Sequence, residues 1–193
     1  MSRRPRRSLK KNPMVMLVAA VIAAAVFLVS QYAKVTDRPG RAASDADLAN
    51  TYGAVLVDRV VDGDTLKLAD NRRVRLIGID TPEMHDSEKL YRDSRRSGQD
   101  AAAIKALGRR SHQFTKGLVE GKTIRLEFDV EKKDKYGRLL AYAYLADGTF
   151  VNAQIIKEGY ASVMTYPPNV KHAEEFLRLY RQARDDRAGL WKE

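Results

Sequence analysis

The chain has 193 residues, 44% hydrophobic and 31% charged, a globular balance with room for one ordinary domain and an extension. It has no cysteine, which excludes a disulfide framework and a zinc–cysteine site, and its three histidines (His85, His112, His172) share no close metal-ligand spacing. The net charge of +10 suggests an anionic partner, but six of the cations (Arg3, Arg4, Arg6, Arg7, Lys10, Lys11) lie in the first eleven residues. The remainder therefore carries only +4, and charge alone does not make it a nucleic-acid binder.

After the basic cluster, Met14 to Val29 is an unbroken run of sixteen apolar residues, and no charge falls between Lys11 and Lys34. A membrane-spanning helix needs about 20 residues, so this stretch is long enough when Ser30, Gln31 and Tyr32 are counted as interfacial. A cleaved signal peptide also has a basic start and an apolar middle. Cleavage wants small residues at −1 and −3, however. Cutting after Ala33 puts Gln31 at −3, and cutting after Ser30 puts Leu28 there. Residues 1–34 are accordingly read as one apolar helix acting as a signal-anchor, with cleavage as the alternative. The positive-inside bias then leaves the N-terminus in the cytoplasm and sends the rest across the membrane. Residues 35–52, with Asp37-Arg38-Pro39-Gly40, read as a linker, and 53–193 as the folded domain.

Alternation dominates from Ala54 to Leu145. Val55, Val57 and Val60-Val61 lead into Asp62-Gly63, a turn signal. Thr65 to Leu68 alternates, Asp70-Asn71 turns, and Val74 to Ile79 makes a third strand. Asp86 to Asp100, which carries Arg92, Arg95, Arg96 and Gly98, has no apolar periodicity and is expected to be an exposed loop. Ile104, Leu107, Ser111, Phe114 and Leu118 fall on one helical face, with Gly121 as the stop. Ile124, Leu126, Phe128 and Val130 alternate with charged residues, which predicts a strand with one face in a core. Leu139 to Leu145 is its expected partner, closed by the turn pair Asp147-Gly148. Asn152 to Gly159 reads as a short helix capped by Asn152. Phe176, Leu179, Tyr180 and Ala183 make the stripe of a last helix. Five strands with three helices predict an α+β fold, a small barrel with helices packed on it.

Three clusters hold the chemistry. They are Asp62-Gly63-Asp64-Thr65, the run from Arg75 to Asp80-Thr81-Pro82-Glu83, and Asp134-Lys135-Tyr136-Gly137-Arg138. Singly, each fits a plain turn or a solvated strand residue. Together they place the carboxylates of Asp64 and Asp80 at strand ends, where hard oxygens suit calcium, and Glu83 within reach of a water on the same ion. Arg75 and Arg138 supply planar forks suited to phosphate oxygens. Simple alternation puts Arg75 and Asp80 on opposite faces of one strand. Gly78 between them could allow a bend.

With the phrases DGDT, RLIGIDTPE, FTKGLVEG, LEFD, DKYGR and LAY and the closing Gly189-Leu190-Trp191, in order from about Gly53 to Trp191, the sequence resembles the staphylococcal nuclease family. The resemblance implies a five-stranded OB-fold barrel with three helices, one Ca²⁺, and hydrolysis of DNA and/or RNA. It implies that Asp64 and Asp80 ligate calcium through carboxylates and Thr81 through its carbonyl, with Asp62 behind them. Glu83 would position or deprotonate the attacking water, and Arg75 and Arg138 would hold the phosphate. Lys135 and Tyr136 match positions near a terminal phosphate. Tyr166 matches one of two tyrosines flanking the base, while the other falls on Met164. Met84 to Ala106 is longer than the family's usual loop. The expected protein is a monomeric, membrane-anchored, extracytoplasmic nuclease, or a secreted one if the leader is cleaved. The alternative is a catalytically silent OB-fold that binds nucleic acid at the membrane.

Overall fold

The computed structural model of the protein describes residues 51–192. The expected apolar helix in 1–34 and nearly all of the expected linker lie outside the described residues. Among the described residues no helix is long and apolar enough to cross a membrane. Thr51 and Tyr52, read as the end of the linker, already belong to the first strand.

In chain order the elements are β1 (Thr51–Asp62), β2 (Thr65–Leu68), β3 (Arg73–Leu76), β4 (Gly78–Asp80), α1 (Glu88–Ser97), α2 (Ala101–Val119) and β5 (Thr123–Glu127). There follow β6 (Leu139–Leu145), α3 (Val151–Lys157), β7 (Ser162–Met164), α4 (Ala173–Asp185) and a 3₁₀ turn (Gly189–Lys192). Strands β1-β2-β3-β6-β5 close into a barrel, with β3 and β6 parallel, while β4 and β7 form a separate antiparallel pair. This is the expected α+β barrel, consistent with an OB-fold.

Closure depends on the long strand β1. Its first half pairs with β5 and its second with β2, with irregular register between Tyr52 and Val55 and again between Val57 and Arg59. Such bulges bend and twist a strand enough to serve two neighbours. The alternating apolar positions then meet inside. Val57, Leu66, Leu68, Val74, Leu76, Ile124, Leu126 and Ala143 are all buried. On the outer side of β6, Tyr142 is also buried, packed edge-on to Phe150, His172 and Phe176. The strand expected to run to Val130 stops at Glu127, and Val130 is 69% exposed. The loop from Phe128 to Arg138 carries the third motif and doubles back on the start of β6, where Leu140 N–H donates to Lys132 O at 2.9 Å. Asp147-Gly148 does turn the chain, through Gly148 N–H to Leu145 O at 3.0 Å. It leads into α3, with only the isolated bridge of Tyr144 to Phe150, and not into another strand.

The strand expected from Val74 to Ile79 is broken at Gly78. Ile77 still donates to Ala141 O at 3.0 Å, as a continuation of the β3–β6 ladder. Gly78 then adopts φ +81°, and the chain leaves the barrel to pair with β7, Gly78 opposite Met164 and Asp80 opposite Ser162. A side chain is unwelcome here twice over: φ is left-handed, and a Cβ would lie 2.5 Å from the Phe176 ring.

Three expectations about helices are corrected. First, residues 88–97 of the expected loop form a helix, giving four α-helices among the described residues instead of three. Ser87 Oγ accepts Leu90 N–H at 3.0 Å, Gly98 closes the other end in the left-handed conformation, and only Leu90 is buried. One buried residue in ten leaves no apolar stripe to read, so the caps were the usable signal. Second, Asn152 does not cap α3; Phe150 stands at that position. Asn152 is fully buried, its Oδ1 accepting Ala143 N–H at 3.0 Å and its Nδ2 donating to Ile77 O at 2.9 Å. Third, the buried face of α2 is rotated from the apolar stripe. Ile104 and Ser111 are buried as expected, but Gly108, Thr115 and Val119 accompany them, and Leu107, Phe114 and Leu118 are half-buried. The expected stripe of α4 is seen, with Phe176, Leu179 and Ala183 buried.

Candidate active site

The turn Asp62-Gly63-Asp64 joins β1 to β2 and is held from below by α2. Thr115, buried on that helix, donates its hydroxyl to Gly63 O at 2.7 Å. Two turns earlier, Gly108 lets the helix backbone approach the Pro82-Glu83 segment so closely that a Cβ would lie 2.5 Å from Glu83 O. These polar and small residues explain why the buried face of α2 does not follow hydrophobicity. They set the floor of the site.

Above that floor, four of the expected residues form one network. Asp64 Oδ2 accepts Thr81 N–H at 2.9 Å and the Thr81 hydroxyl at 3.0 Å, and lies 2.6 Å from Arg75 Nη1. Arg75 Nη2 donates to Asp80 Oδ1 at 3.0 Å. The break at Gly78 therefore cancels the alternation that would have separated Arg75 from Asp80. A residue not foreseen completes the cluster. Lys89 Nζ, from the first turn of α1, lies 3.2 Å from Asp80 Oδ1, 2.9 Å from Glu83 Oε1 and 3.1 Å from Thr81 O. Ser87 Oγ donates to Glu83 Oε2 at 3.3 Å, so the cap of α1 also orients Glu83. Nothing in apolar spacing announces Lys89. It was hidden with its helix.

Four carboxylates (Asp62, Asp64, Asp80, Glu83) thus face two cations (Arg75, Lys89), an excess of negative charge in a half-buried setting. Burial, followed by the charges of Asp64 and Glu83, pushes the Asp62 carboxyl up to about 7. Burial also raises Asp80, helped by Asp64 and opposed by Lys89 and Arg75. For Lys89, burial works downward, but the charges of Asp80, Glu83 and Asp64 outweigh it and raise its affinity for the proton. Such perturbed proton affinities are typical of sites where groups are held for function.

On the other side of Arg75 is a cavity of about 350 Å³, lined among others by Arg75, Leu140, Arg138, Met164, Tyr166 and Asn169. Arg138 is held there by Asp134, whose Oδ2 accepts its Nε–H at 2.7 Å. Burial raises the Asp134 carboxyl, and the Arg138 contacts overcome this to leave it low. Tyr166 is 68% exposed at the cavity edge, and Met164 lies beside it on β7. Lys135 and Tyr136 do not line this cavity. Tyr136 shares a shallower cleft with Arg72, Arg73 and Arg138, and the Lys135 ammonium sits 5.0 Å from its ring centroid. Asn169, buried, clamps the intervening loop by exchanging two hydrogen bonds with the backbone of Glu131, at 2.8 and 2.9 Å.

Among the described residues no three histidine or carboxylate side chains stand ready as a metal cage. The network gives the reason: Asp64 Oδ2 is turned to Arg75 and Thr81, and the Lys89 ammonium lies amid the oxygens of Asp80, Thr81 and Glu83. The chemistry of those donors still fits a hard cation. All are oxygens, one is the Thr81 backbone carbonyl, and the surplus charge is negative.

Comparison with known proteins identifies the family. The family model described as Staphylococcal nuclease homologue matches residues 73–193. The thermonuclease of Staphylococcus intermedius is 35% identical over 187 residues, covering 95% of this chain and 99% of that protein. The uncharacterized protein MJ1439 of Methanocaldococcus jannaschii is 37% identical over 151 residues, 72% of this chain and 71% of its own. Endonuclease YncB of Bacillus subtilis is 34% identical over 142 residues, 71% of this chain and 61% of its own. With the barrel, the carboxylate–arginine network and these matches in hand, the chain belongs to the staphylococcal nuclease family.

Proposed function

We propose that the protein is a calcium-dependent endonuclease hydrolysing phosphodiester bonds in DNA and/or RNA. The observation that carries this reading is the convergence of Asp64, Arg75, Asp80, Thr81 and Glu83 in one network beside an arginine-lined cavity. The relatives named thermonuclease and endonuclease support it. Asp64 and Asp80 would hold Ca²⁺ through carboxylates and Thr81 through its carbonyl, with Asp62 behind them, and the bound ion would act as a Lewis acid toward a phosphate oxygen. Glu83 orients the attacking water and takes its proton. Arg75 and Arg138 hold the phosphate from two sides and stabilise the charge that builds in the transition state. With its Nε held by Asp134, Arg138 keeps its terminal nitrogens for that task.

Lys135 and Tyr136 serve a terminal phosphate of the substrate, and Tyr166 stacks on a base. Met164 replaces a second aromatic surface, and each base–aromatic contact is worth about 1–3 kcal/mol, so single-nucleotide affinity is expected to be low. The basic cluster and apolar run of residues 1–34 support a signal-anchor that holds a monomeric nuclease domain outside the cytoplasm, or releases it if cleaved.

The test is cleavage of single-stranded DNA in calcium, with and without chelator, by the parent and by Glu83→Gln. Turnover of the variant should fall about 10²- to 10⁴-fold while DNA binding persists. Equal behaviour of parent and variant, indifferent to chelator, would instead support the silent binding module.

A further inference from the structure

Lys89 has no role in the reaction as described, yet it occupies the centre of the site. Its Nζ is within 3.2 Å of Asp80 Oδ1, Thr81 O and Glu83 Oε1 together, and its side chain is 24% exposed. Two of these oxygens belong to residues assigned to the metal, and the third to the water-activating carboxylate. Calcium sits about 2.3–2.6 Å from its oxygen ligands. An ion held by Asp80 Oδ1 and the Thr81 carbonyl would need the oxygen face that the ammonium engages. Two cations cannot share it.

The geometry points to Lys89 as a tethered cation that holds the calcium position in the metal-free enzyme and must withdraw before the ion can bind. The inference rests on the proposed metal site. Three features show that the placement of Lys89 is built in. Its helix begins at a cap whose hydroxyl bonds both Leu90 N–H and Glu83, so the first turn of α1 is fixed relative to the site. Leu90, its neighbour, is fully buried and anchors that turn. A resting place for the displaced ammonium is already present: Asp93 Oδ2, one turn along the same helix, lies 3.9 Å from Nζ. The four-carbon stem of a lysine can make this change by rotamer alone, without movement of the helix.

The arrangement has two consequences. The metal-free carboxylates are never left facing one another without a counter-ion, which keeps the site folded before calcium arrives. Calcium affinity is reduced in proportion to the population in which Lys89 is withdrawn, since a site competent only a fraction of the time binds that much more weakly.

The experiment compares calcium binding by the full chain and by Lys89→Met and Lys89→Arg, using calorimetric titration, with melting temperatures in chelator and in saturating calcium. If Lys89 is withdrawn about a tenth of the time in the parent, Lys89→Met should bind calcium about tenfold more tightly. It should also melt lower in chelator and gain more from calcium. Lys89→Arg, which keeps the charge, should stay near the parent. A measurement on the parent alone guards against a misfolded variant: amine acetylation at Lys89, followed by mass spectrometry, should accelerate several-fold when calcium is added. Equal, measurable affinities for parent and Lys89→Met, or acetylation that calcium leaves unchanged or slows, would overturn the inference while leaving the metal site standing. Absence of calcium binding in all three proteins would overturn the metal site itself, and the inference with it.

Discussion

Gly78→Ala probes how the fold brings Arg75 and Asp80 together. The new methyl must adopt φ +81° and would begin 2.5–2.6 Å from Cε2 and Cδ2 of Phe176. Phe176 cannot yield easily. It is 1% exposed, and its ring packs against Phe150 and Tyr142 at centroid distances of 5.5 and 6.2 Å. A left-handed non-glycine residue costs about 1–2 kcal/mol and overpacking a core about 1–3 kcal/mol, against a gain of about 0.4–1 kcal/mol from the stiffer unfolded chain. The expected net loss is about 1–4.5 kcal/mol, which for a domain of this size corresponds to a fall in Tm of about 3–15 °C. Relief by shifting β4 would move Asp80 away from Arg75 Nη2, now 3.0 Å distant, so activity should fall further than stability alone explains. Urea unfolding followed by circular dichroism gives the stability, and cleavage rates well below the melting range give the second effect. Gly53→Ala is the control, since a Cβ there meets nothing within 4 Å and φ is unremarkable; it should change stability by less than about 0.5 kcal/mol. A Gly78→Ala protein as stable and as active as that control would refute the account of the strand break.

Asp62 makes metal-free stability depend on pH. Its folded pKa, near 7, lies above the ordinary value of 3.8, so the stability it contributes is fully present below about pH 4 and is lost as pH rises through 7. Asp62→Asn should match the parent near pH 4 and exceed it by about 2–4 kcal/mol at pH 8 in chelator, by chemical denaturation; parallel curves for the two proteins would contradict this. Asn152→Ala leaves Ala143 N–H and Ile77 O buried without partners, and at about 1–3 kcal/mol each the expected loss is about 2–5 kcal/mol by urea unfolding. A loss under about 1 kcal/mol would mean that water enters to replace the amide.

Much of this protein was legible one residue at a time. Period-two alternation marked much of the inward faces of β1, β2, β3 and β5, because a strand face that meets the barrel interior favours apolar residues; β6 is apolar on both faces, its outer side being covered by Phe150, His172 and Phe176. The motif residues Asp64, Arg75, Asp80, Thr81 and Glu83 were likewise identifiable by type and order, as carboxylates at strand ends and a guanidinium nearby. What alternation could not carry was anything decided by a partner distant in the chain. Gly78 marks a possible bend in the sequence, but only Phe176 and β7, once in place, demand a left-handed residue there. Asn152 looks like a cap until the backbone of Ile77, 75 positions away, needs a donor. Helix α1 buries a single leucine, so its hydrophobic signal is nearly absent and its caps alone betray it. Lys89 had no signal at all, since a lysine's place depends on where its counter-charges gather. Local composition therefore determined which residues could do chemistry, and the long-range contacts of Gly78, Asn152 and Lys89 decided how they face one another.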